Sequence, residues 1–276
     1  MNRNPISTEN YHLYGTSPAQ ILCNIEHSDQ LYLHTRNPVA EISKLGSVLD
    51  LLILDAGGTY TFPDASLSVR PEEITSVIGT TLTHQERGFE AIEFISQDSL
   101  RALMIAAIPN ISDSELFSLN LAGCRRSHLG RKEQTKLLNQ LESKTRKPCK
   151  CCSKASKWRR ENAAQLPFYH WISDVLSTEP SITFQASSKA TSLSVTVVDG
   201  QLSLENGFIS IVSHDICSIV EIDLGNIHMM RLETLHMDGE NHSKISIYNS
   251  FGTVSLDILI PGDKHLERWA NILDGR

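Results

Sequence analysis

Glu73-Ile74-Thr75-Ser76-Val77-Ile78, Ala91-Ile92-Glu93-Phe94-Ile95 and Leu100 to Ile108, closed by Pro109 and an amphipathic stretch, make a pattern that the chain states twice. The second statement runs Asp215-Ile216-Cys217-Ser218-Ile219-Val220, then Ile245-Ser246-Ile247-Tyr248, a turn at Asn249 to Gly252, Val254 to Ile260, Pro261 and Leu266-Glu267-Arg268-Trp269-Ala270. Short β-branched runs separated by polar turns read as strands, and their recurrence reads as duplication. The expected fold is α+β: two structurally related antiparallel β-sheet units with covering helices.

Working outward from the first statement, strands are expected at Gln30 to His34, Leu49 to Asp55, Thr59 to Phe62 and Ser66 to Arg70, with Gly57-Gly58 as a hairpin turn. Ser17 and Pro18 suit the cap and first position of a short helix, and Ser112 or Asp113 the cap of a later one. Arg131 to Ser143 has helical spacing through Leu137, Leu138 and Leu141, and Lys144 to Lys157 reads as an exposed basic loop. Pro167 then opens a helix whose Phe168, Trp171, Ile172, Val175 and Leu176 form one apolar stripe, ended by Thr178-Glu179-Pro180. From Ser192 to Ile260 the chain alternates as an antiparallel sheet with one covered face, and His265 to Leu273 can cover it. The expected domains are 1–123, a basic linker with a short helix at 124–166, and 167–276.

A chain of 276 residues with 40% hydrophobic content can bury a core in one large or two smaller domains. Residues 1–15 have no apolar h-region, and the longest apolar stretch, near Leu45 to Ala56, falls short of the roughly 20 residues of a spanning helix. A cytoplasmic protein without membrane insertion is expected. Cys23, Cys124, Cys149, Cys151, Cys152 and Cys217 are scattered and read as reduced thiols. The net charge of −7 hides an asymmetry: Arg125 to Arg160 holds 13 Lys or Arg against two Glu, a local +11 that leaves −18 on the rest. No P-loop, nucleophile elbow, His-Glu-x-x-His helix or dinucleotide glycine fingerprint is present.

Among eleven histidines, His170 stands apart, because at 100° per residue it lies nearly opposite the stripe of its own helix. It therefore faces solvent or a cleft, where an imidazole can ligate a metal. Cys149-Lys150-Cys151-Cys152 is the rival signal. Thiolates beside lysines are acidified, and with His128 or His170 they can complete a Cys₃His zinc site, although Cys-x-Cys-Cys is not the spacing of an ordinary zinc knuckle. The same basic segment, with Trp158 for stacking, suits phosphate contacts, whereas the acidic halves argue against nucleic acid.

His170-Trp171-Ile172-Ser173-Asp174-Val175-Leu176 resembles the helix of the haemin-degrading HemS family that carries the proximal iron ligand. Met237-Asp238-Gly239, Ile245 to Gly252 and Leu266-Glu267-Arg268-Trp269 are similar to the family's Asp-Gly turn, strand pair and closing Trp helix. Ala65-Ser66-Leu67-Ser68-Val69-Arg70 looks like the segment whose arginine approaches the distal face of haem. The resemblance implies a HemS-like tandem repeat that binds haem in the cytoplasm for trafficking, storage or degradation. It places haem between the halves, with His170 as axial ligand to the iron, Arg70 as distal donor and the basic bridge (Lys144, Arg146, Lys147, Arg159, Arg160) as contact for anionic groups. It further implies a haem donor or acceptor protein as partner and, if the porphyrin is opened, an oxygenase-like activity fed by an external electron donor. Two family positions that hold propionates differ: Glu233-Thr234-Leu235-His236 replaces a basic segment, and Ile260-Pro261 stands where an arginine follows the last strand. The alternatives are a non-haem binding or regulatory protein of the same fold, and zinc or nucleic-acid binding through the linker.

Overall fold

The structure, a computed structural model, describes residues 7–14, 17–25, 28–48, 52–53, 58–84, 87–96, 101–107, 125–128, 148–213, 217–237, 239–265 and 269. In chain order these form β1 (Ser7–Tyr14), α1 (Pro18–Asn24), β2 (Ser28–Arg36), β3 (Ala40–Val48), β4 (Leu52–Ile53), β5 (Tyr60–Phe62), β6 (Leu67–Val69), β7 (Ile74–His84), β8 (Arg87–Ser96), β9 (Leu103–Ala107) and β10 (Arg125–His128). Then come α2 (Lys150–Glu161), α3 (Pro167–Thr178), β11 (Ser181–Ser187), β12 (Thr191–Val198), β13 (Gln201–Glu205), β14 (Phe208–Ser213), β15 (Ser218–Asp223), β16 (Met229–Met237), β17 (Glu240–Tyr248) and β18 (Val254–Pro261). The class is α+β, and every strand pairing described below is antiparallel.

The duplication is explicit in this order. β2 to β9 and β11 to β18 each consist of two strands, three further strands, a 3₁₀ turn (Pro71–Glu73 and Leu224–Asn226) and a three-stranded meander. The counterpart of β7 is therefore β16. The sequence pattern instead matched Glu73–Ile78 with Asp215–Val220, but β15 pairs with β14 and β3, whereas β16 pairs with β17 along its whole length. Met229-Met230-Arg231-Leu232-Glu233-Thr234 mixes long polar and apolar side chains, so this strand carries little of the alternation that marks its neighbours.

The chain divides into two compact units whose segments interleave: Met1–Thr35, Leu45–Arg146 and Ser188–Ser192 in one, Arg36–Lys44, Lys147–Ser187 and Leu193–Arg276 in the other. In the first unit the strands run β10-β1-β7-β8-β9-β2, and β4, β5 and β6 form a short meander. Gly58, at φ 74, lies in the connection between β4 and β5, where a Gly57-Gly58 turn is expected; residues 54–57 lie outside the described residues. Helix α1 starts as expected: Ser17 Oγ accepts from the Gln20 N–H at 3.2 Å, and Gln20 Oε1 accepts from the Ser17 N–H at 3.1 Å. It buries Ile21 and Leu22.

In the second unit β16-β17-β18-β11-β12 form one sheet, and β3-β15-β14-β13 run together in register from Ala40↔Ile222 to Ser218↔Lys44. The alternation expected from Ser192 onward holds, with Leu193, Val195 and Val197, then Ile209 and Ile211, then Leu256, Ile258 and Ile260 all buried. Burial of each such side chain contributes about 1.5–3 kcal/mol. Helix α3 begins with Pro167 and buries Phe168, Trp171, Ile172 and Val175 of the predicted stripe, with its fifth member, Leu176, half-buried. Trp269 stands edge-on to Trp171, ring centroids 5.6 Å apart at 84°; the rest of the closing helix expected over His265 to Leu273 lies, from residue 266 on, outside the described residues.

The turns that begin each repeat use one device. Asn37 Oδ1 accepts from the N–H groups of Val39 and Ala40, both at 2.9 Å, while its Nδ2 donates to the carbonyls of Ser187 and Ser255 at 3.1 and 2.6 Å. In the other unit, Ser188 Oγ accepts from the N–H groups of Ala190 and Thr191 at 3.2 and 3.0 Å.

Besides β16, the strands β1, β3 and β10 carry no clear periodic signal in the sequence. The segment Lys144 to Lys157 is corrected from loop to helix from Lys150 onward. Lysine, alanine and arginine are good helix formers, Cys149 caps the first turn, and the last turn is tied down through arginines. The helices expected after Ser112 and over Arg131 to Ser143 lie outside the described residues.

The docking of α2 fixes a glycine. Asn206 and Gly207, at φ 52 and 83, close the β13–β14 hairpin, and a Cβ on Gly207 would sit 2.5 Å from Arg160 Cβ. Gly207→Ala combines this overlap with left-handed backbone and should cost about 1–3 kcal/mol in urea unfolding. A stability unchanged from wild type would contradict the close approach of α2.

Candidate functional site

His170 is placed by the helix that surrounds it. Because α3 turns its apolar stripe inward, the imidazole one residue before Trp171 is exposed, as the helical wheel predicts. Its ring meets Tyr169 edge-on at 5.7 Å, and among the described residues neither ring nitrogen has a hydrogen-bond partner. The lone pair of a neutral imidazole is therefore available. The far end of the helix is held at Glu179, whose Oε1 lies 2.7 Å from Lys264 Nζ and 3.0 Å from His265 Nε2.

Burial pushes the Glu179 carboxyl upward, but the Lys264 hydrogen bond and the His265 and Lys264 charges outweigh it and hold the group below its ordinary 4.5. A lowered carboxylate stabilises the fold above its unfolded value and loses that contribution as pH falls through the folded value. Stability should therefore decline below about pH 4.5. Glu179→Gln should be less stable at neutral pH and shallower in its acid limb, read by thermal melts from pH 7 to 3; parallel acid limbs would exclude the pairing.

Arg70 belongs to the other unit. It follows β6 and precedes the 3₁₀ turn Pro71–Glu73; its N–H donates to Ala190 O at 2.8 Å, and its carbonyl accepts from Glu73 N at 3.1 Å. The guanidinium is exposed and, among the described residues, has no hydrogen bond or ion pair. Asp223 occupies the equivalent place in the second repeat, its N–H donating to Val39 O at 2.8 Å before the turn Leu224–Asn226. The duplicated backbone thus presents a free arginine in one copy and a bonded aspartate in the other.

Arg160 binds Asp223 with both arms, Nε to Oδ1 at 2.9 Å and Nη2 to Oδ2 at 2.5 Å, and lies 5.7 Å from the centre of the Phe208 ring. Arg159 donates from Nε and Nη2 to Gly225 O at 3.1 and 2.7 Å. Arg160 is thus paired with an internal carboxylate and Arg159 with a backbone carbonyl, each through Nε and Nη2. Lys144, Arg146 and Lys147 lie outside the described residues. Lys150, Lys154, Lys157 and Trp158 are exposed on α2.

A cation that the sequence pattern gave no reason to select is Lys44, on β3. Burial lowers its ammonium to about 8; Nζ donates to Ser194 O at 3.1 Å, and no carboxylate among the described residues pairs with it. With β3 unrecognised in the sequence, nothing marked this lysine as half-buried.

Cys149, Cys151 and Cys152 cluster at the start of α2, their sulphurs all within 4.8 Å of one another. Cys149 caps the helix, Sγ accepting from the Cys152 N–H at 3.4 Å, and its sulphur is 3.3 Å from that of Cys152. Hydrogen bonds from the Cys151 thiol, the Cys152 N–H and the Cys152 thiol hold Cys149 down to about 7, while the bond to Cys149, burial and the adjacent negative charge push Cys152 up to about 11. Iodoacetamide followed by peptide mass spectrometry should modify Cys149 with a half-maximal rate near pH 7, well ahead of Cys152. Equal labelling of the two at pH 7 would contradict this arrangement.

No protein-family model matches the sequence, and no curated protein matches it. Solved structures do. The haem-degrading enzyme ChuS of Escherichia coli O157:H7 matches with a TM-score of 0.60 and 10% identity, over 97% of this chain and 86% of that one. The haem-binding protein PhuS of Pseudomonas aeruginosa, in its holo form, matches with a TM-score of 0.58 and 10% identity, over 96% of this chain and 86% of that one. A further structure of ChuS, described as an E. coli haem oxygenase, gives 0.57 and 11% identity over 96% and 88%. Among the described residues no helix is long and apolar enough to cross a membrane. The resemblance that began at His170 thus extends along nearly the whole chain at the level of fold: this protein has the HemS-type tandem-repeat architecture of ChuS and PhuS.

Proposed function

We propose that this chain binds haem in the cytoplasm, for trafficking, storage or degradation, with His170 as the axial ligand. The observation that carries the reading is the exposed imidazole with unbonded nitrogens on a helix clamped by Trp171, Trp269 and Glu179. Such a donor loses little freedom on binding, because its helix is already fixed. Arg70 supplies a guanidinium free of internal partners, suited to a distal hydrogen-bond donor. Lys44 supplies what Arg159 and Arg160 do not: a half-buried ammonium without a carboxylate, which a propionate would neutralise. Haem when bound would supply redox chemistry at iron, and the residues named here hold and orient it.

Titration with haemin, followed in the Soret region, tests this. Saturation at one haem per chain is expected for the wild type, loss of the saturable change for His170→Ala, and about tenfold weaker binding with an unshifted band for Lys44→Gln. An unchanged spectrum in His170→Ala excludes that ligand. A reductant added under air then separates carriage, in which the band persists, from degradation, in which it decays.

A second reading, a non-haem binding or regulatory protein of the same fold, rests on the Glu233 region. There Lys244 lies 3.7 Å from Glu233 and 3.3 Å from Asp257, and Arg231 lies 3.5 Å from Glu233, so the cations present are neutralised internally. A folded wild type without saturable haemin binding would favour it.

A further inference from the structure

We propose that Cys149, Cys151 and Cys152 form a binding site for a single thiophilic d¹⁰ cation, Zn(II) or Cu(I), at the N-terminus of α2. Three sulphurs already lie within 4.8 Å of one another. A metal–sulphur bond of about 2.3 Å in tetrahedral or trigonal geometry requires sulphurs about 3.8–4.0 Å apart, so closure on an ion needs only side-chain adjustment within one helical turn. The three residues come from a single cap and first turn, which fixes their Cβ directions before any ion arrives.

The electrostatics suit a cluster of thiolates. The positive end of the helix dipole faces them, and Lys150 and Lys154 on the same helix offset the surplus negative charge of a tristhiolate complex. The scaffold is rigid at its other end. Arg159 grips Gly225 O, Arg160 grips Asp223, and a Cβ at Gly225 would come within 2.8 Å of Ser156 Oγ and 2.7 Å of Arg160 Nε, so the helix lies directly on the turn below it. Cys149 and Cys151 are exposed and Cys152 half-exposed, which leaves an entry path and, for Zn(II), a fourth position open to water or an exchanging thiol. For Cu(I), three thiolates alone complete a trigonal shell.

The experiment uses the full chain, reduced and freed of metal. Zn(II) is added against a chromophoric chelator, and Cu(I) in a separate arm under anaerobic conditions. One ion per chain is expected in at least one arm, and the arm that competes best identifies the ion. The triple variant Cys149→Ser, Cys151→Ser, Cys152→Ser should bind none while keeping the wild-type circular dichroism and melting temperature. His170→Ala should bind the full equivalent, so loss of haem binding and loss of this site are separable. Full stoichiometry in the folded triple variant, or no competition with the chelator in either arm, overturns the proposal.

Discussion

The bidentate contact between Arg160 and Asp223 is what the functional part of this molecule is built upon. Asp223 is placed by its own N–H bond to Val39 and receives Gly225 N–H and Asn226 Nδ2 as well as the guanidinium, so the carboxylate is nearly saturated with donors. Such a pair, partly exposed, adds modest stability, but its fork geometry sets an orientation. That orientation decides where α2 lies. Through α2 it fixes the thiol cluster, and through the short Ala163–Gln165 turn that follows, it delivers the chain to Pro167 and the start of α3.

The two repeats show how duplication separates structure from chemistry. Each retains a turn capped by a short polar side chain, Asn37 or Ser188, and each retains a backbone hydrogen bond into that turn from the residue before its 3₁₀ segment. The side chains at that residue have diverged completely. Asp223 has become structural by accepting Arg160, while Arg70 has kept its side chain out of every internal bond among the described residues. A protein that holds the backbone constant can change charge at such a position without disturbing its sheets.

Much of the second unit was legible in the sequence because its strands are half-buried and alternate, and because α3 has one uninterrupted apolar stripe. Its bounds follow from Pro167 at the start and Pro180 after the end. The first unit was less legible: β1 is polar, β10 is largely arginine, and β3 contains Lys44 and Gly46 among its apolar positions. Charge was the most misleading signal. A dense run of lysines and arginines suggested a solvated loop, yet these residues are also good helix formers, and the selective bonding of Arg159 and Arg160 depends on partners, Gly225 and Asp223, that lie far away in the chain. His170 could be singled out because exposure on a helix is a local, periodic property. The half-burial of Lys44 is a property of strand pairing and could not be.

The pairing of β3 with β15 also sets an order of events in time. Ala40 to Lys44 leave the ribosome long before Ser218 to Ile222, their register partners. The edge of β3 that meets β15 must wait while most of the chain is made, and its closure spans a large loop whose entropy is recovered only at the end. Folding of the second unit is thus a late, non-local step that a separated C-terminal half, lacking Arg36–Lys44, would have no strand to complete. The strand borrowed from early in the chain therefore makes the second unit a product of the whole sequence: the C-terminal half encodes a recognisable repeat without encoding every strand of its own unit.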